Sequence, residues 1–388
     1  MKRMGVVIVL SVAVLLGVVA ISGASAASEP ITIGSIATLS GPGRGWGLGL
    51  LAGLQIAADE INAKGGILLG GERRKVNVVY YDDKYQGSEA LDVANRLINQ
   101  DKVKLILGPM GSAPTLAVQD TTEKSGAMIF SGGITHKNLG PTKPLSFRYV
   151  MSQAEYAPPM AKWIAQNVPG AKKVAVIAPN DETGQEAVAD IEKAFQANGV
   201  ELTGKFWFER GTPDLTPILT KILSTQPNII ETDGSAPVDV GLVVKQARQL
   251  GFKGIISKIG GPGTGEVIRV AGAEYSEGFL YQTTSDLADP KAKHLQDAFA
   301  AKYKDPFNAL LIPAYDISLM LFEAIAKTQS LDPAKIAPVL ADMKWNGTFG
   351  PIEFGGQATY GIKRQPLYPF FLGRVEKGQE KIVTVLRP

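Results

Sequence analysis

The chain has 388 residues, with 40 Lys and Arg against 37 Asp and Glu, two histidines and no cysteine. This length predicts two or three folding units, and a content of 45% hydrophobic and 20% charged residues excludes wholesale disorder. The absence of cysteine excludes disulfides and thiolate chemistry, and two histidines offer little for a metal site or a general base. We therefore expect no cofactor, no metal and no enzymatic activity, and the small net charge of +3 argues against a nucleic-acid partner.

Residues 1–26 have the order of an export signal. Lys2 and Arg3 precede an uninterrupted apolar stretch, and the small residues Ala24 and Ala26 follow it. This order predicts a signal peptide that is cleaved near Ala26, and hence a periplasmic mature protein. The alternative is a membrane anchor, but the apolar stretch is at the short limit of the roughly 17–25 residues that span a bilayer.

After the signal, short apolar runs alternate with amphipathic segments in two rounds. The first round predicts strands at 31–36, 76–81, 104–107 and 127–131, with helices at 50–61, 88–100 and 113–124. The second predicts helices at 155–167, 184–198, 213–224 and 238–250, with strands at 173–178, 200–208 and 228–232. Helices at 292–303, 313–327 and 333–343 and short strands near 370 and 383 complete the chain. This alternation predicts an α/β fold with two parallel-sheet lobes, and a local sequence echo between 75–90 and 173–187 weakly supports their similarity.

Two predicted strands are followed by segments rich in glycine and hydroxyl groups, at 108–114 and 131–135. Ligands of parallel α/β sheets bind outside the carboxyl ends of strands, where free backbone N–H groups meet them. Ser112 and Thr135 would add hydroxyl donors, which together suit a carboxylate; alternatively, the glycines serve turns and Ser112 caps a helix. Trp46 follows the first strand in a third glycine-rich segment, where its indole either closes over an apolar ligand or packs on the first helix.

An ordered set of short motifs carries a family resemblance over nearly all of the chain from Ile31 onward. The set comprises Ile33-Gly34, Leu39-Ser40-Gly41-Pro42, Trp46-Gly47, the run from Ala57 to Ile67, Asp82-Asp83, Ala94-Asn95-Arg96-Leu97-Ile98, Gly108-Pro109 and Phe147-Arg148. In this order the chain resembles the periplasmic solute-binding proteins of ABC importers, in the leucine/isoleucine/valine-binding branch with the type I periplasmic binding fold.

The resemblance implies two similar doubly wound lobes joined by a three-crossover hinge, with the ligand in the cleft. It places the N-terminal lobe at 27–148 plus 284–348 and the C-terminal lobe at 149–283 plus 349–388. The implied function is capture of a small carboxylate-bearing ligand, such as a branched-chain amino acid, by lobe closure, and its delivery to a membrane permease. A monomer is also implied.

The resemblance also implies a role for several residues in the cleft. The ligand carboxylate would be held by Ser112, the backbone N–H of Gly133 and Thr135, with Trp46 as an aromatic lid. Ser131 lies in the same segment as Gly133 and Thr135 and is a further candidate.

The second half of the implied site departs from the family pattern. Thr183 stands where amino-acid binders usually carry tyrosine, and no acid is present near Gly261 to pair a ligand ammonium. Asp181, Asp233 or Asp239 would substitute, although each is also a typical surface or capping residue. These departures leave two alternatives open: a binder of an amine-free aliphatic or aromatic acid, or a periplasmic sensor that presents its ligand to a receptor.

Overall fold

The computed structural model describes residues 29–388, so the predicted signal peptide at 1–26 lies outside the described residues. Within 29–388 no helix combines the length and the apolar character needed to cross a membrane. The described chain folds around two large sheets, each with its helices, and a cavity lies between them.

The first large sheet is built from the first 120 or so described residues. Its region contains β1 (Ile31–Ala37), α1 (Arg44–Ala63), β2 (Ile67–Leu69), β3 (Glu72–Arg74), β4 (Val76–Asp82), α2 (Gly87–Asn99), β5 (Leu105–Leu107), α3 (Ser112–Ser125), β6 (Met128–Ser131), a 3-10 helix (His136–Asn138) and β7 (Ser146–Arg148). The strand order is β4-β1-β5-β6-β7 with all pairs parallel, and β2 and β3 form a separate hairpin.

The second large sheet begins after the first crossover. Its region contains α4 (Gln153–Asn167), β8 (Lys173–Pro179), α5 (Glu182–Gln196), β9 (Glu201–Phe208), α6 (Thr216–Ser224), β10 (Ile229–Glu231), α7 (Pro237–Gln249), β11 (Ile255–Lys258), α8 (Thr264–Ala271), α9 (Ala273–Ser276) and β12 (Leu280–Thr283). The parallel part has the order β9-β8-β10-β11-β12.

The last hundred residues or so contribute to both sheets. They form α10 (Pro290–Ala300), α11 (Leu311–Thr328), α12 (Pro333–Asp342), β13 (Trp345–Gly347), β14 (Gly350–Gly355), α13 (Gln357–Tyr360), β15 (Gln365–Leu367), β16 (Phe370–Glu376) and β17 (Gln379–Leu386). Helix α11 packs on α1 of the first lobe, whereas β16 and β17 extend the second sheet as antiparallel strands beside β12.

The two parallel sheets have the same strand order. In each, the second strand lies at the edge, the first lies beside it, and the third to fifth follow in sequence. This identity confirms the predicted α/β fold class with two similar parallel-sheet lobes. Strands β7, β11 and β12 were not predicted as strands, because their apolar runs are too short to show a period.

In residues 29–388 the chain passes between the lobes three times. The first two passages lie at 149–152 and 284–289. Residues 349–367, which the resemblance assigns to the C-terminal lobe, contain β14 and β15 of a small sheet that packs on α12 and β7. The chain joins the second large sheet only at Phe370. We therefore propose 368–369 as the third passage.

In each lobe, a glycine holds the helix that follows the lobe's first strand tightly against the end of that strand. A Cβ added at Gly47 in α1 would lie 2.1 Å from the carbonyl oxygen of Thr38, and one added at Gly184 in α5 would lie 2.0 Å from that of Pro179. Only a residue without a side chain permits this approach. In both lobes, therefore, a glycine allows the N-terminus of a helix to lie close to the strand end at the cleft.

Candidate functional site

A cavity lies between the carboxyl ends of the two parallel sheets. Aromatic side chains from both lobes line the cavity, among them Trp46, Tyr85, Tyr156 and Tyr368. The position agrees with the general rule for open α/β sheets, in which ligands meet the strand ends.

The lobes are closed over this cavity. Trp46 of the first lobe donates from Nε1 to the carbonyl oxygen of Pro262 in the second, at 3.1 Å. Thr183 Oγ1 in the second lobe lies 3.2 Å from both the Tyr85 hydroxyl and the backbone nitrogen of Ser112 in the first. Trp46 thus spans the cleft, in the position of a lid.

Eight of the sequence-predicted residues divide into two sets, and Asp181 and Asp239 belong to neither. Four of them line the cavity: Trp46, Thr183, Asp233 and Gly261. The carboxylate set of the first lobe lies beside the cavity instead, and the hydroxyl groups of Ser112, Ser131 and Thr135 have partners within the protein. Ser112 Oγ accepts from the backbone N–H groups of Ile134 and Thr135, each at 3.1 Å.

The hydroxyl groups of Thr135 and Ser131 are also engaged. The Thr135 hydroxyl lies 3.0 Å from Glu182 Oε1 and 3.1 Å from Glu186 Oε2, both on α5 of the opposite lobe. Ser131 is buried and donates weakly to the Phe147 carbonyl, at 3.5 Å. In this closed form, side-chain carboxylates of the protein already occupy the Thr135 donor.

Gly133 packs tightly in the same segment. Its carbonyl accepts from Arg148 Nε at 2.8 Å, and a Cβ added there would lie 2.0 Å from Asn138 Nδ2. The buried Arg148 guanidinium also donates to the carbonyls of Ile134 and Thr135. Arg148 therefore fixes the backbone that follows β6.

Asp181 serves as a helix cap and an ion-pair partner. Its Oδ1 accepts from the Gly184 N–H at 2.9 Å, and its Oδ2 lies 2.6 Å from Arg210 Nε. Arg210 also stacks over Tyr85, with its guanidinium carbon 4.8 Å from the ring centroid. Because Arg210 already balances Asp181, this carboxylate is poorly placed to pair a ligand ammonium.

Asp233 is the predicted acid that does line the cavity. Its Oδ2 accepts from Gln153 Nε2 and from the Tyr156 hydroxyl, both at 3.1 Å, and its Oδ1 accepts from the Gly234 N–H at 2.7 Å. The carboxylate is 2% exposed and sits 3.7 Å from the ammonium of Lys258. Asp233 is thus held firmly and has a cation beside it.

Lys258 is the main site residue that sequence reasoning missed. It ends β11, is 4% exposed, and donates from Nζ to the carbonyls of Gly260 and Gly261. Its Nζ lies 5.6 Å from the centroid of Trp46, and burial lowers the pKa of the ammonium. The sequence signal for this residue was its position, directly after the short run Ile255-Ile256-Ser257 and shortly before Gly260-Gly261. It was not used because β11 itself was not predicted.

Glu231 lies beneath this cation–carboxylate pair. Its Oε1 accepts from the backbone N–H groups of Thr232, Asp233 and Ile259 at 2.9–3.0 Å, and its Oε2 accepts from the Ser257 hydroxyl. Burial, with a smaller effect of the neighbouring Asp233 charge, raises the pKa of Glu231 to about 7. Glu231 ties the ends of β10 and β11 together.

The resemblance expects an ammonium-binding acid near Gly260-Gly261, and in this protein the ring of Tyr156 fills the space beside Gly260. A Cβ added at Gly260 would lie 2.0 Å from Cζ of Tyr156, which leaves no room for any side chain there. The Gly260 carbonyl instead accepts from Lys258. At this strand end the protein therefore presents a cation where the resemblance expects an anion.

Comparison with known proteins supports the resemblance. The family model of periplasmic binding proteins matches residues 30–380. The leucine-, isoleucine-, valine-, threonine- and alanine-binding protein of Pseudomonas aeruginosa is 28% identical over 332 residues, which is 85% of this chain and 87% of that protein.

Two solved structures illustrate the shared fold. The leucine-binding protein of Thermotoga maritima superposes with a TM-score of 0.79 at 25% identity and covers 92% of this chain and 99% of its own. A solute-binding protein of an ABC transporter from R. palustris, in complex with benzoate, has a TM-score of 0.78 at 17% identity, with 92% and 97% covered. The predicted resemblance is confirmed: the chain belongs to the periplasmic binding protein family, with the type I fold of that family.

Proposed function

We propose that this chain is the solute-binding component of an ABC importer, and that its ligand is a small organic acid without an amino group. The observation that carries the ligand class is Lys258, a buried cation at the strand end where the family pattern places the ammonium-binding acid. Capture by lobe closure follows from contacts that the ligand makes with both lobes in the closed state only.

Of the two charged side chains in the described part of the chain that line the cavity, Asp233 and Lys258, the lysine favours an anionic ligand. Lys258 Nζ faces the cavity, and its present partners are two neutral carbonyls and Asp233 at 3.7 Å, beyond hydrogen-bond distance. A ligand carboxylate would supply the charge-assisted hydrogen bond that this ammonium lacks. The Thr135 hydroxyl, by contrast, is already engaged by Glu182 and Glu186. We therefore infer that the carboxylate anchor is Lys258 and not the Ser112–Thr135 set.

The walls of the cavity suit an apolar or flat ligand body. Trp46, Tyr85 and Tyr156 present ring faces or edges to it, and Met110 and Ile134 add aliphatic surface. An aliphatic or aromatic acid would bury its hydrocarbon part against these side chains, while its carboxylate meets Lys258.

A branched-chain amino acid is the second candidate. Asp233 lines the cavity and is an acid in the lobe that holds the ligand ammonium in amino-acid binders. The Pseudomonas relative is named for binding leucine, isoleucine and valine, which supports this alternative. In this arrangement Asp233 would leave Lys258 and pair with the ligand ammonium.

The remaining predictions concern export and partners. Residues 1–26 are proposed to direct export to the periplasm, with cleavage near Ala26, and the mature chain is proposed to act as a monomer. Its partner would be a membrane permease; a receptor that reads the closed form is the alternative. N-terminal sequencing of the exported protein tests the cleavage site, and co-purification with an ABC permease of the same organism tests the partner.

A matched ligand pair tests the proposed ligand class. Leucine and 4-methyl-2-oxopentanoate share one carbon skeleton and differ only at the α-carbon, where one carries an amino group and the other a ketone. We expect thermal stabilisation of the purified mature protein by the oxo acid, or by benzoate as an aromatic acid, and none by leucine. A ligand at 100 times its dissociation constant stabilises the folded protein by about 2.7 kcal/mol.

Two results would contradict the proposal. Stabilisation by leucine alone would favour the amino-acid alternative, and Asp233→Asn should then abolish it. If an acid stabilises Lys258→Met as much as it stabilises the wild type, Lys258 is not the group that binds the ligand carboxylate.

A further inference from the structure

Three potential metal ligands meet at the rim of the cleft, outside the cavity. His136 opens the 3-10 helix after β6 in the first lobe, and Glu186 and Asp190 lie one turn apart on α5 in the second. Side chains four residues apart share one helix face, so both carboxylates point toward the histidine. The ligand atoms of the three residues all lie within 4.8 Å of one another.

The two distances from the histidine to the carboxylates are those expected of ligands that share a divalent cation. His136 Nε2 lies 3.5 Å from Glu186 Oε1 and 3.3 Å from Asp190 Oδ2. Tetrahedral zinc with bonds of about 2.0–2.2 Å separates neighbouring ligand atoms by roughly 3.4 Å. One imidazole and two carboxylates form a donor set that zinc accepts, and three protein ligands leave a fourth position for water.

Neighbouring groups orient these ligands. Glu186 Oε2 lies 3.1 Å from the Thr135 hydroxyl, and its Oε1 accepts from the His136 backbone N–H at 3.2 Å. The imidazole packs edge-on against Tyr360, with ring centroids 5.3 Å apart. Hydrogen bonds of this kind fix ligating carboxylates. The His136 side chain is 40% exposed, so an ion can enter from solvent.

The nearby cations have other partners. Lys137 Nζ pairs with Glu182 Oε1 at 2.9 Å, and the Arg148 guanidinium carbon lies 4.8 Å from the centroid of Tyr360 while its nitrogens donate to backbone carbonyls. Among residues 29–388, the His136 imidazole is thus the ion-pair partner of both Glu186 and Asp190.

We propose that His136, Glu186 and Asp190 form a zinc-binding site that bridges the two lobes and stabilises the closed form. The first lobe supplies one ligand and the second supplies two, so the site is complete only on closure. By linkage, an ion that prefers the closed state strengthens binding of the cleft ligand by the same factor as that ligand strengthens binding of the ion.

Calorimetric titration of zinc chloride into the chelator-treated protein tests the site. We expect one bound ion per chain, with affinity at least about tenfold weaker in His136→Ala, as for loss of a metal ligand or its support. The chain offers a matched control in His294, its other histidine, which pairs with the single carboxylate of Glu60 at 2.8 Å. His294→Ala should retain the zinc affinity. Absence of zinc binding, or equal affinity in wild type and His136→Ala, would overturn the proposal.

A second measurement tests the bridge. Because the chain has no cysteine, Lys124→Cys in the first lobe and Lys253→Cys in the second provide two exposed labelling positions for a donor and an acceptor dye. Zinc should raise energy transfer between them, and Asp190→Asn should reduce that change. Zinc binding that leaves energy transfer unchanged would contradict a bridging role.

Discussion

The two lobes have the same sheet topology but present different chemistry to the cleft. In the first lobe, the ends of β5 and β6 carry glycines and neutral hydroxyls such as Ser112, whose partners are the protein's own groups. In the second, the ends of β10 and β11 carry the charged side chains Glu231, Asp233 and Lys258. The shared sheet topology therefore determines where a ligand binds. The strand-end residues of the second lobe determine the charge that the cleft presents to it.

The largest expected effect is a loss of stability at a feature that both lobes have, a glycine packed against a backbone carbonyl. Gly47→Ala and Gly184→Ala each place a Cβ about 2 Å from a backbone carbonyl that cannot move aside. We expect both variants to lose about 3 kcal/mol or more of the free energy of unfolding, at the upper end of overpacking costs. Urea unfolding measures the losses. A mild effect in only one lobe would show that the two helix starts are not equivalent.

The next prediction contrasts glycines at equivalent strand ends. A Cβ at Gly260 would meet the Tyr156 ring, which is held by Asp233, whereas a Cβ at Gly132 would meet the flexible end of Met110. Gly260→Ala should therefore cost about 1–3 kcal/mol of stability and weaken ligand binding, and Gly132→Ala should cost less. Chemical unfolding of the two variants gives the comparison, and equal costs would contradict the account of Tyr156.

Buried carboxyl groups in the two lobes should give different pH dependences of stability. Burial raises the pKa of Glu231 to about 7 and that of Asp83 in the first lobe to about 6, above their ordinary values of 4.5 and 3.8. Between its ordinary and its raised pKa, the folded state holds a proton that the unfolded state has lost, so stability falls as pH rises. The loss is complete above pH 7 for Glu231 and above pH 6 for Asp83.

Neutral isosteres separate these contributions. Glu231→Gln should flatten the stability profile between pH 4.5 and 7 by a few kcal/mol, and Asp83→Asn should flatten it mainly between pH 4 and 6. Urea unfolding at pH 4, 5, 6 and 8 supplies the profiles. A Glu231→Gln profile parallel to that of the wild type would show that this carboxyl is charged in the folded protein.

The smallest effect concerns the lid. Trp46→Phe keeps an aromatic face over the cavity but removes the hydrogen bond from Nε1 to the Pro262 carbonyl. Loss of one such bond should weaken closure by about 0.5–1.5 kcal/mol, and hence ligand affinity by less than about tenfold. Ligand titration by calorimetry measures it. A loss of a hundredfold or more would mean that the indole has a further contact with the ligand.

The sequence predicted the alternation of strands and helices well, because long amphipathic helices such as α1 and α5 have a clear period. The predicted internal similarity between the lobes was less accurate. The sequence echo between 75–90 and 173–187 aligned β4 with β8, whereas in the sheets β8 is the counterpart of β1. Such local similarity reflects common α/β composition and carries no information on strand order.

The site was only partly accessible to sequence reasoning. Trp46, Thr183, Asp233 and Gly261 were placed at the cavity by resemblance, and they line it. Lys258 was missed because it ends a strand too short to be predicted. The burial of a lysine depends on which elements surround it, so no local pattern predicts it. The engagement of Thr135 by α5 likewise depends on closure of the opposite lobe.

The role of Lys258 as carboxylate anchor is the central claim, and calorimetric titration of Lys258→Met with the acid that stabilises the wild type tests it most directly. Methionine keeps the length of the side chain but removes the charge, and Lys205→Met, at a lysine that pairs with Glu192 on the surface, is the matched control. A hydrogen bond to a charged group contributes about 1.5–3 kcal/mol, so Lys258→Met should bind at least tenfold more weakly while Lys205→Met is unchanged. An unchanged dissociation constant in Lys258→Met would contradict the claim.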